Sequence, residues 1–226
     1  NNVNPVWNFM AEFPIEVVRG QQLSIEVWDH DDPGDNDFLG RATIETGVIA
    51  EKGIISDMWV DLEDVESGRV QMSLSWMETT SDKSSLRSAD DGLTKCIVLV
   101  YVDSCQNLQV PKQPTLKPSP QVDMTVGVSA KQSTWPQSFT NDPVFEQGFV
   151  FLCSNPDSDD LKIKIVDTHR KNVELGTTMI RVSDLINLPG MEYSNQPFTL
   201  KGGALSATIT MSVQVKCLKE ATKKKS

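Results

Sequence analysis

The chain repeats itself, and the repeat constrains its fold more than any other feature. Asn4-Pro5-Val6-Trp7-Asn8 is answered by Asp142-Pro143-Val144-Phe145-Glu146, and LSIEVWD (Leu23 to Asp29) by LKIKIVD (Leu161 to Asp167). Proline to aspartate is 24 residues in both copies, and Leu62 and Leu200 keep the same offset of 138. Landmarks recurring at one offset mean one folding unit used twice. In each copy Leu23, Ile25 and Val27, or Leu161, Ile163 and Ile165, alternate with polar neighbours, the period of a strand with one buried face. Val70, Met72, Leu74 and Trp76 do the same, answered by Ala207, Ile209, Met211, Val213 and Val215. The expected fold is therefore all-β, in two copies.

The rest of the pattern places further strands at Phe9 to Val18, Leu39 to Glu45 and Trp59 to Leu62, with one helical turn expected within 46–56. Met77 to Gly92 is Ser/Thr-rich, charged and nearly free of large apolar groups, and reads as a flexible linker of roughly 20 Å. The second copy opens with Thr94 to Val102, a Pro-rich loop from Asn107 to Pro120, and strands at Val122 to Val128 and around Lys131 to Ser138. It starts about 50 residues before Pro143, whereas 4 residues precede Pro5. By that ruler the first copy is expected to lack about 46 residues and their N-terminal strands. The expected organisation is a partial first unit at 1–77, a linker at 78–92, a second unit at 93–219 and a basic tail at 220–226.

Asp29, Asp31, Asp35 and Asp37 surround a turn forced by Pro33 and Gly34. Asp29 and Asp31 are two residues apart on an extended chain and share a direction, about 6 to 7 Å apart. The turn can bring Asp35 and Asp37 back toward them. Carboxylates crowded this way repel, and calcium, which accepts irregular sets of hard oxygen ligands, is the expected partner. The loop is not an EF-hand: counted from Asp29, position five is Pro33 and position twelve Gly40, and strands rather than helices flank it. In the second copy the loop is two residues shorter. Thr168, His169, Arg170 and Lys171 stand where the first has carboxylates, and the preceding Pro-rich loop holds no acid, so that copy is not expected to bind calcium.

Charge divides the same way. Residues 1–92 carry 19 acidic and 6 basic side chains, a net of −13; residues 93–226 carry 12 and 15, a net of +3. An acidic half of this kind does not attract nucleic acid or an anionic membrane until it is neutralised. The longest apolar run, Cys96 to Val102, is far short of the ~20 residues of a membrane span. Cys96, Cys105, Cys153 and Cys217 show neither C-x-x-C spacing nor His partners and read as reduced cytosolic thiols. His30 and His169 lie in loops without a nucleophile pattern around them, so no enzyme is expected.

A strand leading into D-x-D, a third Asp eight residues after the first, then an aromatic residue and Leu-Gly, resembles the third calcium-binding loop of a C2 domain. The tandem pair, with DGLTKCIVLVYVDSCQNL opening the second unit and NDPVFE and FLCSNP following, looks most like the first and second C2 domains of extended synaptotagmins. Multiple-C2 transmembrane proteins and ferlins share the loop and stay open as alternatives. The resemblance implies two antiparallel β-sandwiches of C2 type in tandem, with calcium at Asp29, Asp31 and Asp37 and Asp35 as a further ligand. It also implies an endoplasmic-reticulum-anchored parent that tethers membranes, assists lipid transport and associates with copies of itself. The expected partner is an anionic phospholipid membrane, met at its cytosolic face, with Phe38, Lys162 and Lys164 as lipid contacts. A competing reading makes the pair a calcium-independent protein-interaction module.

Overall fold

The computed structural model describes residues 2–30, 34–88 and 91–224. Two compact units emerge. One comprises the residues up to Pro14 together with Thr79–Leu218; the other comprises Ile15–Glu78 together with the stretch from Lys219 onward. Both are built from antiparallel strands.

In the Ile15–Glu78 unit, β1 (Gln22–Asp29) pairs with β2 (Asp37–Glu45). A helix, α1 (Thr46–Lys52), leads into β3 (Ile54–Asp61), which pairs with β4 (Arg69–Ser75). The Thr46 hydroxyl donates toward the carbonyls of Val18 (2.7 Å) and Gln21 (3.0 Å), fixing the helix start. Gly53, at φ 74°, stops it by returning its N–H to Ile49. The hairpins remain two separate two-stranded sheets.

The other unit is a complete sandwich. Its strands are β5 (Thr79–Thr80), β6 (Cys96–Gln106), β7 (Pro120–Val126), β8 (Gln132–Ser133), β9 (Val144–Cys153), β10 (Asp160–Asp167), β11 (Val173–Arg181), β12 (Glu192–Thr199) and β13 (Thr208–Leu218); helix α2 (Val182–Ile186) precedes β12. One sheet runs β12-β13-β6-β9, with β5 also paired to β13; the other runs β11-β10-β7-β8. Ile209, Met211, Val213, Val215 and Cys217 on β13, and Val98, Val100 and Val102 on β6, point into one core. Val122, Met124 and Val126 on β7, and Leu161, Ile163 and Ile165 on β10, meet them from the second sheet. Two alternating inner faces with a dry layer between them define a β-sandwich. The four cysteines are free and buried.

The offset of 138 survives as geometry. β10 minus 138 is β1, and β12 minus 138 is β3, to the residue. Each first hairpin has its register shift at the same place, after Val27 and after Ile165, opposite Gly40 and Gly176. Burial does not survive. Leu161, Ile163 and Ile165 are fully buried, while Leu23, Ile25 and Val27 are only half-buried. β10 has β7 and β11 on its two sides; β1 has β2 alone.

Two expectations change. Phe9 to Val18 forms no strand. Its counterpart β9 is held by β6, whereas no strand among the described residues pairs with this stretch. The expected linker at 78–92 is partly ordered on the sandwich. Thr79 and Thr80 extend the sheet beside Leu218 and Cys217, and Lys83–Ser85 forms a 3₁₀ turn capped by Asp82, whose side chain accepts from Ser84 N–H. The basic tail is tied down at Lys224, whose ammonium reaches Glu78 Oε1 (2.9 Å) and Ala50 O (3.1 Å).

Candidate functional site

β1 and β2 end on two facing acids. Asp29 and Asp37 are the last cross-strand partners of the ladder. Directly opposed residues have Cβ atoms about 4.5 to 5.5 Å apart, and like charges there are destabilising. The preceding pair, Trp28 and Phe38, meets edge to face with ring centroids 5.0 Å apart. Past the acids, His30 Nδ1 lies 3.2 Å from Asn36 Oδ1. The bulge sets this order. Gly40 has φ 120°, and a Cβ there would come within 2.9 Å of Leu62 Cβ and Val65 Cγ2. Glycine lets the chain press onto Leu62 and leaves Leu39 as the extra residue, so Trp28 meets Phe38 and Asp29 meets Asp37.

Asp29 and Asp37 are thus brought together across the ladder. Asp35 lies in the loop and is exposed. Asp31 lies outside the described residues. Among the described residues no three His, Cys, Asp or Glu side chains converge as a metal-binding group. The donor set is nonetheless all carboxylate, and an opposed pair of this kind fits a hard divalent cation such as calcium.

The matching place in the sandwich is built differently. Asp167 ends β10 as Asp29 ends β1, but its cross-strand partner is Val173. Asp167 is fully buried. Its Oδ1 accepts the N–H groups of Ser119 (3.0 Å) and His169 (3.1 Å), and its Oδ2 accepts Arg170 Nη1 (2.7 Å). Burial pushes the carboxyl pKa up, but the Ser119 N–H, the Arg170 guanidinium and the His169 N–H outweigh it and hold the group below its ordinary value. Arg170 also donates to Lys117 O (3.3 Å). A side-chain cation therefore sits against the carboxylate.

Lys162 and Lys164 lie on the outer face of the β7-β10-β11 layer, lining a shallow concavity of about 550 Å³ with Lys131, Lys201, Thr125 and Met179. Lys131 pairs with Asp123 (3.0 Å) and Lys164 with Glu174 (3.2 Å). Sequence reasoning missed Lys131 and Lys201. They reach the concavity from outside β10, and only the bridge between Thr177 and Lys201 places the latter there.

Residues 1–62 and 96–200 match the C2 domain family. The chain is 32% identical to human extended synaptotagmin-2 over 228 aligned residues, covering 96% of this chain and 24% of that protein. It is 28% identical to human extended synaptotagmin-1, covering 96% and 20%. Among solved structures, the calcium-bound pair of C2 domains from an extended synaptotagmin-2 superposes with a TM-score of 0.75 at 30% identity, covering 90% of this chain and 74% of that one. The chain spans about a quarter of the length of the human extended synaptotagmin-2 it matches.

Proposed function

The chain belongs to the C2 domain family, and from that premise we propose that its first unit binds anionic phospholipid when calcium is present, while its second unit needs no calcium. The observation that carries this reading is the opposed pair Asp29 and Asp37 at the open end of β1 and β2. The similar C2 pair of extended synaptotagmin-2, which is calcium bound in its solved structure, supports it. Asp31 and Asp35 complete the proposed ligand set. Bound calcium would supply the charge reversal and the open coordination positions that phosphate oxygens take.

This chain's own residues do the rest. Without a cation, the carboxylates repel an anionic surface over roughly a Debye length, about 8 Å at physiological salt. Phe38, 36% exposed beside Asp37, offers a shallow apolar contact once that repulsion is gone. Lys162 and Lys164, with Lys131 and Lys201, add attraction of about 1 kcal/mol for each lysine near the surface. The protein acts as a binding module rather than an enzyme. Its place is the cytosolic face of membranes, within a larger endoplasmic-reticulum-anchored tether that serves lipid transport and pairs with copies of itself.

Co-sedimentation with phosphatidylserine-containing vesicles tests the calcium step. Calcium should raise binding at least tenfold over chelator, and Asp29→Asn with Asp37→Asn should abolish that increment, with binding in chelator equal to or above the parent's because two repelling charges are gone. A calcium increment that survives the double substitution would overturn the reading.

A further inference from the structure

Three of the four cysteines stand in a row inside the sandwich. Cys153 ends β9, Cys96 opens β6 and Cys217 lies one residue from the end of β13. The ladders pair Cys96 with Cys153 on one side and with Cys217 on the other. Directly opposed residues share a face of the sheet, and all three side chains are buried in the core. The calcium and lipid chemistry uses none of them. Among the described residues no three His, Cys, Asp or Glu side chains converge on a metal, so what the row offers is thiol–thiol chemistry.

The ladder spacing permits a bond. Opposed Cα atoms in an antiparallel pair are about 4.5 or 5.5 Å apart, within the roughly 4.4–6.8 Å that a disulfide spans. Opposed Cβ atoms, about 4.5 to 5.5 Å apart, must close by up to about 1 Å, which makes such a bond strained and easily reduced. Cys96 has two neighbours and can bond one. The thiol of Cys153 lies against it, whereas Cys217 feels Cys96 only through charge.

At rest the pair is inert. The Cys153 thiol reaches Asp159 Oδ2 (3.5 Å), which also accepts the N–H of Asn155 (3.1 Å). The Cys96 thiol, burial and the Asp159 carboxylate push the Cys153 thiol far above its ordinary range, so the nucleophilic thiolate is scarce. Access comes from the position of Cys153 in its strand. β9 is at the edge of its sheet and Cys153 is its last residue, its carbonyl held by the N–H of Lys95 (2.9 Å). A strand end frays at far lower cost than the whole sandwich opens, and release of this one end bares both thiols together.

We propose that Cys96 and Cys153 form a reversible disulfide in the folded chain on exposure to hydrogen peroxide, clipping the edge strand β9 to β6. The peroxide O–O bond breaks as the Cys153 sulfur takes one oxygen, giving a sulfenic acid and a water. The Cys96 sulfur then displaces that oxygen: the S–S bond forms, the S–O bond breaks, and a second water leaves with the Cys96 proton. Two thiols are oxidised and one peroxide is reduced to two waters; a dithiol reverses the bond by exchange.

The test exposes the whole folded chain to hydrogen peroxide, then unfolds it in an alkylating agent and maps its linkages by mass spectrometry without reduction. Cleavage after Tyr101 separates Cys96 from Cys105. The expected product is a single Cys96–Cys153 link within one chain, with Cys105 and Cys217 alkylated, and dithiothreitol should remove it. Cys217→Ser should leave both the link and its rate of formation unchanged. Because the bond constrains the opened chain, hydrogen exchange in β9 should slow by at least about tenfold on oxidation. A Cys96–Cys217 link, a link only between two chains, a link that forms only in denaturant, or four thiols still free would each overturn the proposal. No lipid or calcium enters these measurements, so they stand or fall apart from the membrane-binding reading.

Discussion

Asp167 keeps its charge where water does not reach, and Arg170 is one of three groups that let it do so. Removing the arginine leaves a buried carboxylate with two backbone N–H donors. Breaking a buried pair from one side costs about 3–5 kcal/mol, and the remaining donors put this case near the lower end. Arg170→Ala should therefore lower urea-measured stability by about 3 kcal/mol at pH 7. The folded pKa of Asp167 lies below its unfolded value near 3.9. Its contribution to stability is therefore complete above that unfolded value and is lost as pH falls through the folded one. The gap between the parent and Arg170→Ala should be full at about pH 6 and shrink below about pH 4; a pH-independent gap would mean that Arg170 acts through packing. The sequence made the charge exchange between the loops readable, because Thr168 to Lys171 visibly replace carboxylates. It did not reveal that Arg170 turns back on Asp167, since residues three apart meet only once the 3₁₀ turn at Thr168–Arg170 exists. Nor did it show Asp29 lying opposite Asp37, which depends on a bulge rather than on residue spacing.

At the scale of elements, the hairpins β1-β2 and β10-β11 use one design under two degrees of cover. Both place a glycine opposite the bulge, and both press it onto a leucine: Gly40 onto Leu62, Gly176 onto Leu200. In the covered copy the bulged residue, Leu175, is fully buried; in the other, Leu39 is 45% exposed. A methyl group on Gly176 would stand 2.9 Å from Leu200 Cβ, with core on every side to resist its movement. Overpacking of this kind costs about 1–3 kcal/mol. Gly176→Ala should therefore lower the melting temperature of the sandwich, by about 2–12 °C for a domain of this size. Gly203→Ala, placed 2.3 Å from Leu175 O, should do the same, and no change in either would mean that the bulge shifts freely. The strands themselves were legible because apolar alternation needs no partner to be seen. Phe9 to Val18 misled for the same reason: its composition suits a strand, but a strand exists only against a neighbour, and among the described residues none pairs with this stretch.

For the molecule as a whole, alternation fixed which face of each strand turns inward, and neighbours decided whether that face is buried. β6, β10 and β13 each have a strand on both sides and contribute nearly half of the buried side chains of the core. β1 to β4 stand in isolated pairs, and the buried apolar side chains of their unit among the described residues are Ala42 and Ile49. Two-stranded hairpins are marginal alone, so their amides open by local fluctuation, while those of β6, β10 and β13 open only with the sandwich. Hydrogen exchange should therefore run at least a hundredfold faster in β1 to β4. A cation held by Asp29 and Asp37 would tie β1 to β2, and a ligand that binds only the folded form stabilises it by about 2.7 kcal/mol at a hundred times its Kd. Saturating calcium should thus slow exchange in β1 and β2 by up to about a hundredfold. β10 and β11, whose carboxylate already holds Arg170, should not respond. Equal slowing in both hairpins would show that calcium acts on the chain as a bulk counter-ion, and no slowing in either would show that the two opposed acids do not hold it.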